Sequence, residues 1–259
     1  MQKKAADVGF DWNDVAPALD KVNEETCELR EAWMMGDREH MKEELGDVMM
    51  QVLFHSDIEA DAGVFTIHDV ADHACKKLVS RHPNLFGEKT DLDWDEIKRV
   101  ERGERTVASE MNDVSRSLPA LWRADKIQKK AAKVGYDWPD VHDALDKIEE
   151  EAHELRLGVD AGDTENIIEE LGDLIFATVD AARILGVDPE AAVHQACEKA
   201  IRRFTYMENR AAQLGKSFEE LSLVDMELLH QQARQEQEGK TPVYDKLEYF
   251  RTYDNTQNK

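Results

Sequence analysis

The sequence predicts an all-α fold made of tandem duplicated helical-bundle domains. Three observations predict it. Apolar residues recur at helical spacing: Leu45, Val48, Met49, Val52 and Leu53 mark one stripe, and Leu171, Leu174, Ile175 and Thr178 mark a second. No run alternates with the period of two that a strand requires. Only 6 Pro and 13 Gly occur in 259 residues, so long helices can run unbroken.

The chain also repeats itself, which predicts the tandem duplication. Of the 29 positions in 2–30, 20 are identical to 128–156, at a constant offset of 126. The offset still holds where Glu44-Leu45-Gly46-Asp47 meets Glu170-Leu171-Gly172-Asp173. It falls to 122 where Ala74-Cys75 meets Ala196-Cys197, so a four-residue indel separates the second and third helices. A period this long is a domain duplication rather than a solenoid. The first copy is set at 1–108, the second at 115–238, and a polar tail with Tyr244, Tyr249, Phe250 and Tyr253 at 239–259.

Along each copy, an acidic helix is expected to end near Gly36 or Gly162 and to be followed by an antiparallel return. Phe10 and Tyr136, with Trp12 and Trp138, are repeat equivalents; they read as apolar plugs at a helix end, with stacking on a nucleotide base as the alternative. The join holds Arg81-His82-Pro83, Gly87 and a charged helix from Trp94 to Arg105. Ser117 and Pro119 then read as the N-cap and start of a new helix.

Composition narrows the function. The net charge is −23. A field of that sign repels nucleic acid and anionic membranes, so neither is an expected partner. Cys27, Cys75 and Cys197 are odd in number and form no C-x-x-C pair, which argues against disulfide scaffolding and zinc fingers and fits a cytoplasmic protein. No apolar run is long enough to span a bilayer, and the N-terminus lacks a signal-peptide core.

The chemistry lies in the pattern E-E-x-x-E, fifteen residues, E-x-x-D. It comprises Glu24, Glu25, Glu28, Glu44 and Asp47 in the first copy, and Glu150, Glu151, Glu154, Glu170 and Asp173 in the second. At about 100° per residue the first three acids share one helix face, and the last two share a face of the next helix. Each set abuts an apolar stripe expected to be core. Carboxylates crowded in reduced dielectric repel unless cations join them. Oxygen-only ligands suit hard ions such as Mg²⁺ or Mn²⁺. A solvated acidic face is the plain alternative, and the apolar context at both copies weighs against it. A di-iron bundle would need Glu-x-x-His, whereas Asp stands three residues after Glu44 and Glu170.

With these motifs placed, the sequence resembles MazG, of the all-α NTP pyrophosphohydrolase superfamily. Arg81-His82-Pro83-Asn84-Leu85-Phe86-Gly87 is similar to the family's inter-domain segment. Arg116-Ser117-Leu118-Pro119-Ala120-Leu121, followed by Gln128-Lys129-Lys130-Ala131-Ala132, is similar to its entry into the second domain. The resemblance implies hydrolysis of a nucleoside triphosphate to monophosphate and pyrophosphate with magnesium, and homodimers whose bundles are completed by two subunits. Matching residue by residue, it implies Glu151, Glu154, Glu170 and Asp173 as metal ligands. It makes Lys199 and Arg203 a phosphate-binding pair. Lys147, one turn before Glu151, is a further candidate for phosphate. Glu150 or Glu151 is the candidate to orient or deprotonate the attacking water. The first copy keeps the same residue types at Lys21, Glu25, Glu28, Glu44, Asp47, Lys77 and Arg81.

The first copy departs from the family in lacking a Cys-Pro-Trp-Asp stretch, and its opening helix is expected to be shortened. The second copy is therefore the expected active site. A nucleotide-contacting Trp implied near the end of the second copy aligns with His230. Two other readings stay open from sequence. One is a non-catalytic acidic helical dimer that binds a nucleotide or protein partner. The other is a superfamily relative with dUTPase-like or phosphoribosyl-ATP-type specificity.

Overall fold

A computed structural model describes residues 15–87 and 105–239. Phe10, Trp12, the expected helix from Trp94 to Arg105 except Arg105 itself, and all of the tail beyond Gly239 lie outside the described residues. The described residues contain helices and turns and no strand, as the apolar spacing predicts. The chain divides into two compact units, Met1–Glu104 and Arg105–Lys259.

The described part of the first unit opens with a helical hairpin, α1 (Val15–Met35) and α2 (Arg38–Asp61). Gly36 turns the chain between them at φ +72°, a conformation open to glycine without penalty. Asp37 then caps α2 by accepting from the His40 amide at 3.0 Å. Helix α3 (Ile67–Arg81) starts at a Thr66/Asp69 capping box and packs on α2, and α4 (Pro83–Phe86) follows.

The second unit repeats this plan and extends it. Short α5 (Val107–Asn112) and α6 (Ala120–Ala132) precede the hairpin of α7 (Val141–Ala161) and α8 (Thr164–Ile184). Gly162, at φ +68°, makes the same left-handed turn as Gly36. Asp163 caps α8 by accepting from the Glu165 and Asn166 amides. Helix α9 (Pro189–Gln213), a 3₁₀ turn (Phe218–Glu220) and α10 (Leu223–Glu238) follow within the described residues. Met207, Ala211, Leu221 and Leu229 form a buried cluster joining α9 to α10. Helix α6 braces the hairpin, where Gln128 Nε2 donates to the Phe176 carbonyl at 2.8 Å, and also ties to the start of α9, where Trp122 Nε1 donates to the N-cap Asp188.

The indel falls largely inside one helix. Helices α2 and α8 start at equivalent positions, but α2 has 24 residues and α8 has 21. One further residue is lost from the following loop. Pro83 explains why α3 is short: it removes an amide donor and clashes with the preceding turn, so the helix stops at Arg81. Thr205 stands at its repeat position, and there α9 continues to Gln213.

Three expectations need correction. Ser117 is not a helix N-cap; Pro119 occupies that position, and the Ser117 amide donates to Ser115 Oγ in a turn before it. The aromatic pair Tyr136 and Trp138 does not plug a core: Tyr136 is 84% exposed and Trp138 40%. The apolar stripes are not buried either. Leu45, Met49 and Leu53 lie exposed, as do Leu171, Ile175 and Phe176. Burial within each hairpin instead falls on residues such as Ala18, Ala32, Ala144 and Ala177, which let two helices approach closely. Two helices have only one mutual face, so the stripe on the other side stays exposed among the described residues.

Candidate active site

Each hairpin gathers acids from both of its helices. In the first unit, Glu25 and Glu28 from α1 meet Glu44 from α2, one oxygen of each lying within 4.8 Å of the others. In the second unit, Glu151 and Glu154 from α7 meet Glu170 from α8 within the same distance. The spacing of three between Glu25 and Glu28, and between Glu151 and Glu154, together with the glycine turn makes this meeting possible, since residues i and i+3 share a helix face. Glu25, Glu44 and Glu151 are buried, with exposures of 5 to 6%.

The neighbours of these acids are mostly cations and amides. Lys147 Nζ lies 2.5 Å from Glu151 Oε1 and 2.8 Å from Glu150 Oε1. Lys21 repeats the pattern at 3.4 Å from Glu25 and 2.8 Å from Glu24. Their carboxylate partners raise both ammonium pKa values. Asn166 Nδ2 donates to Glu170 Oε1 at 2.9 Å. At the equivalent place His40 Nε2 lies 2.9 Å from Glu44 Oε1. Gln51 Nε2 reaches Glu25 Oε1 at 3.5 Å.

The remaining electrostatics are unfavourable. Desolvation raises the Glu28 pKa first, reinforced by a hydrogen bond with Glu25 and the charges of Glu44, Glu25 and Glu24. Desolvation likewise raises Glu170, with Glu154 and Glu151 adding repulsion while Asn166 opposes it. Glu44 Oε2 is buried with no hydrogen-bond partner. A buried carboxylate oxygen without a donor, among further carboxylates, is a group that a cation would satisfy. The donor set is oxygen-only, which fits a hard divalent ion. The clusters could therefore hold a metal.

Other expected site residues lie outside these two groups. Asp47 and Asp173 lie one turn beyond Glu44 and Glu170, Asp47 half-buried and Asp173 exposed. Glu24 and Glu150 sit on the rim, with side chains 55% and 57% exposed. Lys77 is exposed on α3, and Arg81 is half-buried at its end. Helix α9, which carries Lys199 and Arg203, packs mainly on α10 and α6. Arg203 forms a bidentate pair with Glu238, at 2.6 and 2.7 Å, and also contacts His230 at 3.4 Å. Burial lowers the His230 pKa. Thus Arg203 faces α10, a pairing across 35 residues that no local pattern signals.

Comparison with known proteins decides what these paired hairpins are. A profile described as the MazG nucleotide pyrophosphohydrolase domain matches residues 13–86 and again 141–207. The chain belongs to the MazG family. It is 39% identical over 243 residues to the nucleoside triphosphate pyrophosphohydrolase/pyrophosphatase MazG of Thermotoga maritima, covering 90% of this chain and 92% of that one. It is 36% identical over 223 residues to the nucleoside triphosphate pyrophosphohydrolase of Escherichia coli K12, covering 83% and 85%. The uncharacterized protein YabN of Bacillus subtilis is 41% identical over 220 residues, which span 82% of this chain and 45% of YabN. Both matched MazG segments contain the three-glutamate groups. No helix among the described residues is long and apolar enough to cross a membrane.

Sequence reasoning missed three side chains that hold the acids: His40, Asn166 and Gln51. His40 and Asn166 stand four residues before Glu44 and Glu170. That spacing alone was a usable signal, because it puts both on the face of the glutamate they contact.

Proposed function

We propose that this chain hydrolyses nucleoside triphosphates to monophosphate and pyrophosphate at its second acidic hairpin. The observation that carries the proposal is the approach of Glu151, Glu154 and Glu170, with Lys147 against Glu151. The names of the MazG relatives give the reaction, and their similarity runs through both hairpins. Glu151, Glu154 and Glu170, joined by Asp173 one turn on, would hold Mg²⁺, with Mn²⁺ as a substitute. Bound there, the metal would supply charge neutralisation of the triphosphate and a lowered pKa for a ligated water.

The chain's own residues divide the remaining work. Lys147 offsets the charge of Glu150 and Glu151 and stands ready to share its donors with a phosphate oxygen. Glu150, exposed at the rim, orients and deprotonates the attacking water. Lys199 and Arg203 bind phosphate, Arg203 exchanging Glu238 for the substrate. Water adds its oxygen to one phosphorus of the α–β anhydride bridge and the P–O bond from that phosphorus to the bridging oxygen breaks, giving monophosphate and pyrophosphate. The first hairpin, with Lys21, Glu25, Glu28, Glu44, Asp47, Lys77 and Arg81, is a copy of this site and not the principal centre. The role is nucleotide-pool cleaning in the cytoplasm, where three unpaired cysteines remain reduced.

The exposed apolar stripes support a homodimer. Leu171, Ile175 and Phe176 are each more than 40% exposed. A second chain covering them would complete a bundle around the acidic cluster. The reaction is tested by incubating the protein with a panel of nucleoside triphosphates and Mg²⁺ and resolving the products. Monophosphate with pyrophosphate is expected. Diphosphate with orthophosphate would overturn the proposal, and selective cleavage of dUTP or phosphoribosyl-ATP would redirect the specificity.

A further inference from the structure

Gly158 is buried in the interior of α7, where glycine is less favourable than alanine. A Cβ built on it would lie 2.6 Å from Asn166 Oδ1 and 3.4 Å from Asn166 Cγ and Ile167 Cγ1. Among the described glycines it alone would bring a Cβ within 3.0 Å of another atom. Gly46 and Gly172, also helical, have open space at that position. The Asn166 amide is thus seated directly against the glycine backbone. Its own backbone is pinned, because its N–H donates to the Asp163 cap at 3.2 Å. With the backbone fixed and one side closed by Gly158, the amide has little freedom, and its Nδ2 donates to Glu170 Oε1 at 2.9 Å.

The first unit solves the same problem with different residues. Ala32 occupies the position of Gly158, and His40 that of Asn166, both at the offset of 126. Ala32 is fully buried. His40 Nε2 reaches Glu44 Oε1 at 2.9 Å, and the His40 amide donates to the Asp37 cap at 3.0 Å. Both members of the pair changed between copies, while the distance to the glutamate did not.

We propose that Asn166, seated against Gly158, is a positioning residue that orients the Glu170 carboxylate toward Glu151 and Glu154, and that Gly158–Asn166 and Ala32–His40 are matched pairs. The inference rests on the metal-binding reading of the second hairpin. Partners that fix the orientation of a ligating carboxylate typically alter metal affinity by about 10- to 100-fold.

The test uses the full chain carrying Glu28→Gln and Glu44→Gln, so that Mn²⁺ titration followed by electron paramagnetic resonance reports the second hairpin. Asn166→Ala is expected to weaken Mn²⁺ binding about tenfold. Gly158→Ala is expected to act in the same direction, because the added methyl displaces the amide. Adding Asn166→His to Gly158→Ala rebuilds the first-unit pair and is expected to recover most of the lost affinity. Circular dichroism checks the helical fold; if Gly158→Ala fails to fold, Asn166→Ala, which removes only the amide, decides. Unchanged affinity in Asn166→Ala, with binding lost in Glu170→Gln, would overturn the positioning role and leave the metal site intact. Unchanged affinity in Glu170→Gln as well would overturn the metal reading itself.

Discussion

Lys147 and Glu151 stand one helical turn apart on α7 with their charged atoms 2.5 Å apart, and Lys21 and Glu25 repeat the relationship on α1 at 3.4 Å. The lysine is therefore placed on the buried glutamate of the acidic cluster before any phosphate arrives. Lys147→Met should lower turnover by about 100-fold, the loss expected for one preorganised donor at developing charge. Mn²⁺ affinity should persist, since no carboxylate is removed. Steady-state kinetics beside a Mn²⁺ titration checks this; parallel loss of both would reduce Lys147 to a support for Glu151.

The acidic cluster should oppose folding in the absence of metal. Burial and its acidic neighbours raise the Glu170 pKa. A carboxyl with a raised folded pKa stabilises the fold only at low pH, and its ionisation at neutral pH works against folding. Glu154→Gln should then raise the metal-free Tm while removing activity. Mg²⁺ at about 100 times its Kd should stabilise the unaltered chain by about 2.7 kcal/mol and the variant by much less. Thermal scans with Mg²⁺ and with chelator measure both effects.

Arg183 ties the end of α8 to the loop before α7. Its Nη1 donates to Asp137 Oδ2 at 3.2 Å, and its Nε to Asp180 at 2.8 Å. The guanidinium holds the Asp137 pKa below its ordinary value. A depressed carboxylate pKa contributes stability above the unfolded pKa of about 3.9, and that stability is lost as pH falls through the folded value. Asp137 is partly exposed, so Asp137→Asn should cost only about 0.5 kcal/mol at pH 7. Urea titrations should find the difference shrinking below about pH 3.9.

The exposed stripe on α8 gives a direct test of assembly. Ile175→Glu should convert a dimer to monomers and reduce activity, because the charge would have to be desolvated at a subunit interface. Light scattering coupled to size exclusion reads the mass. A wild-type monomer would contradict the dimer outright.

Much of the fold was legible from sequence because helices and turns are local. The 126-residue offset, Gly36, Gly162 and the carboxylate spacing were sufficient to anticipate two acidic hairpins. The covered face was not legible. Leu45, Met49 and Ile175 have core-like spacing, yet a two-helix hairpin closes over alanines and leaves these residues exposed. The resemblance implies Arg203 as a phosphate ligand, but its bidentate partner Glu238 lies on another helix and leaves no mark in the local pattern. Asn166 carries a signal in its spacing of four from Glu170, but an asparagine in a first helical turn usually signals capping, and its seat against Gly158 on the facing helix leaves no local mark.

The most direct measurement of the central claim is the activity of two full-length variants, Glu154→Ala and Glu28→Ala, assayed separately for Mg²⁺-dependent pyrophosphate release. Glu154→Ala is expected to lose turnover by at least about 100-fold, while Glu28→Ala retains most of it. Equal activity in the two variants would contradict the assignment of catalysis to the second acidic hairpin.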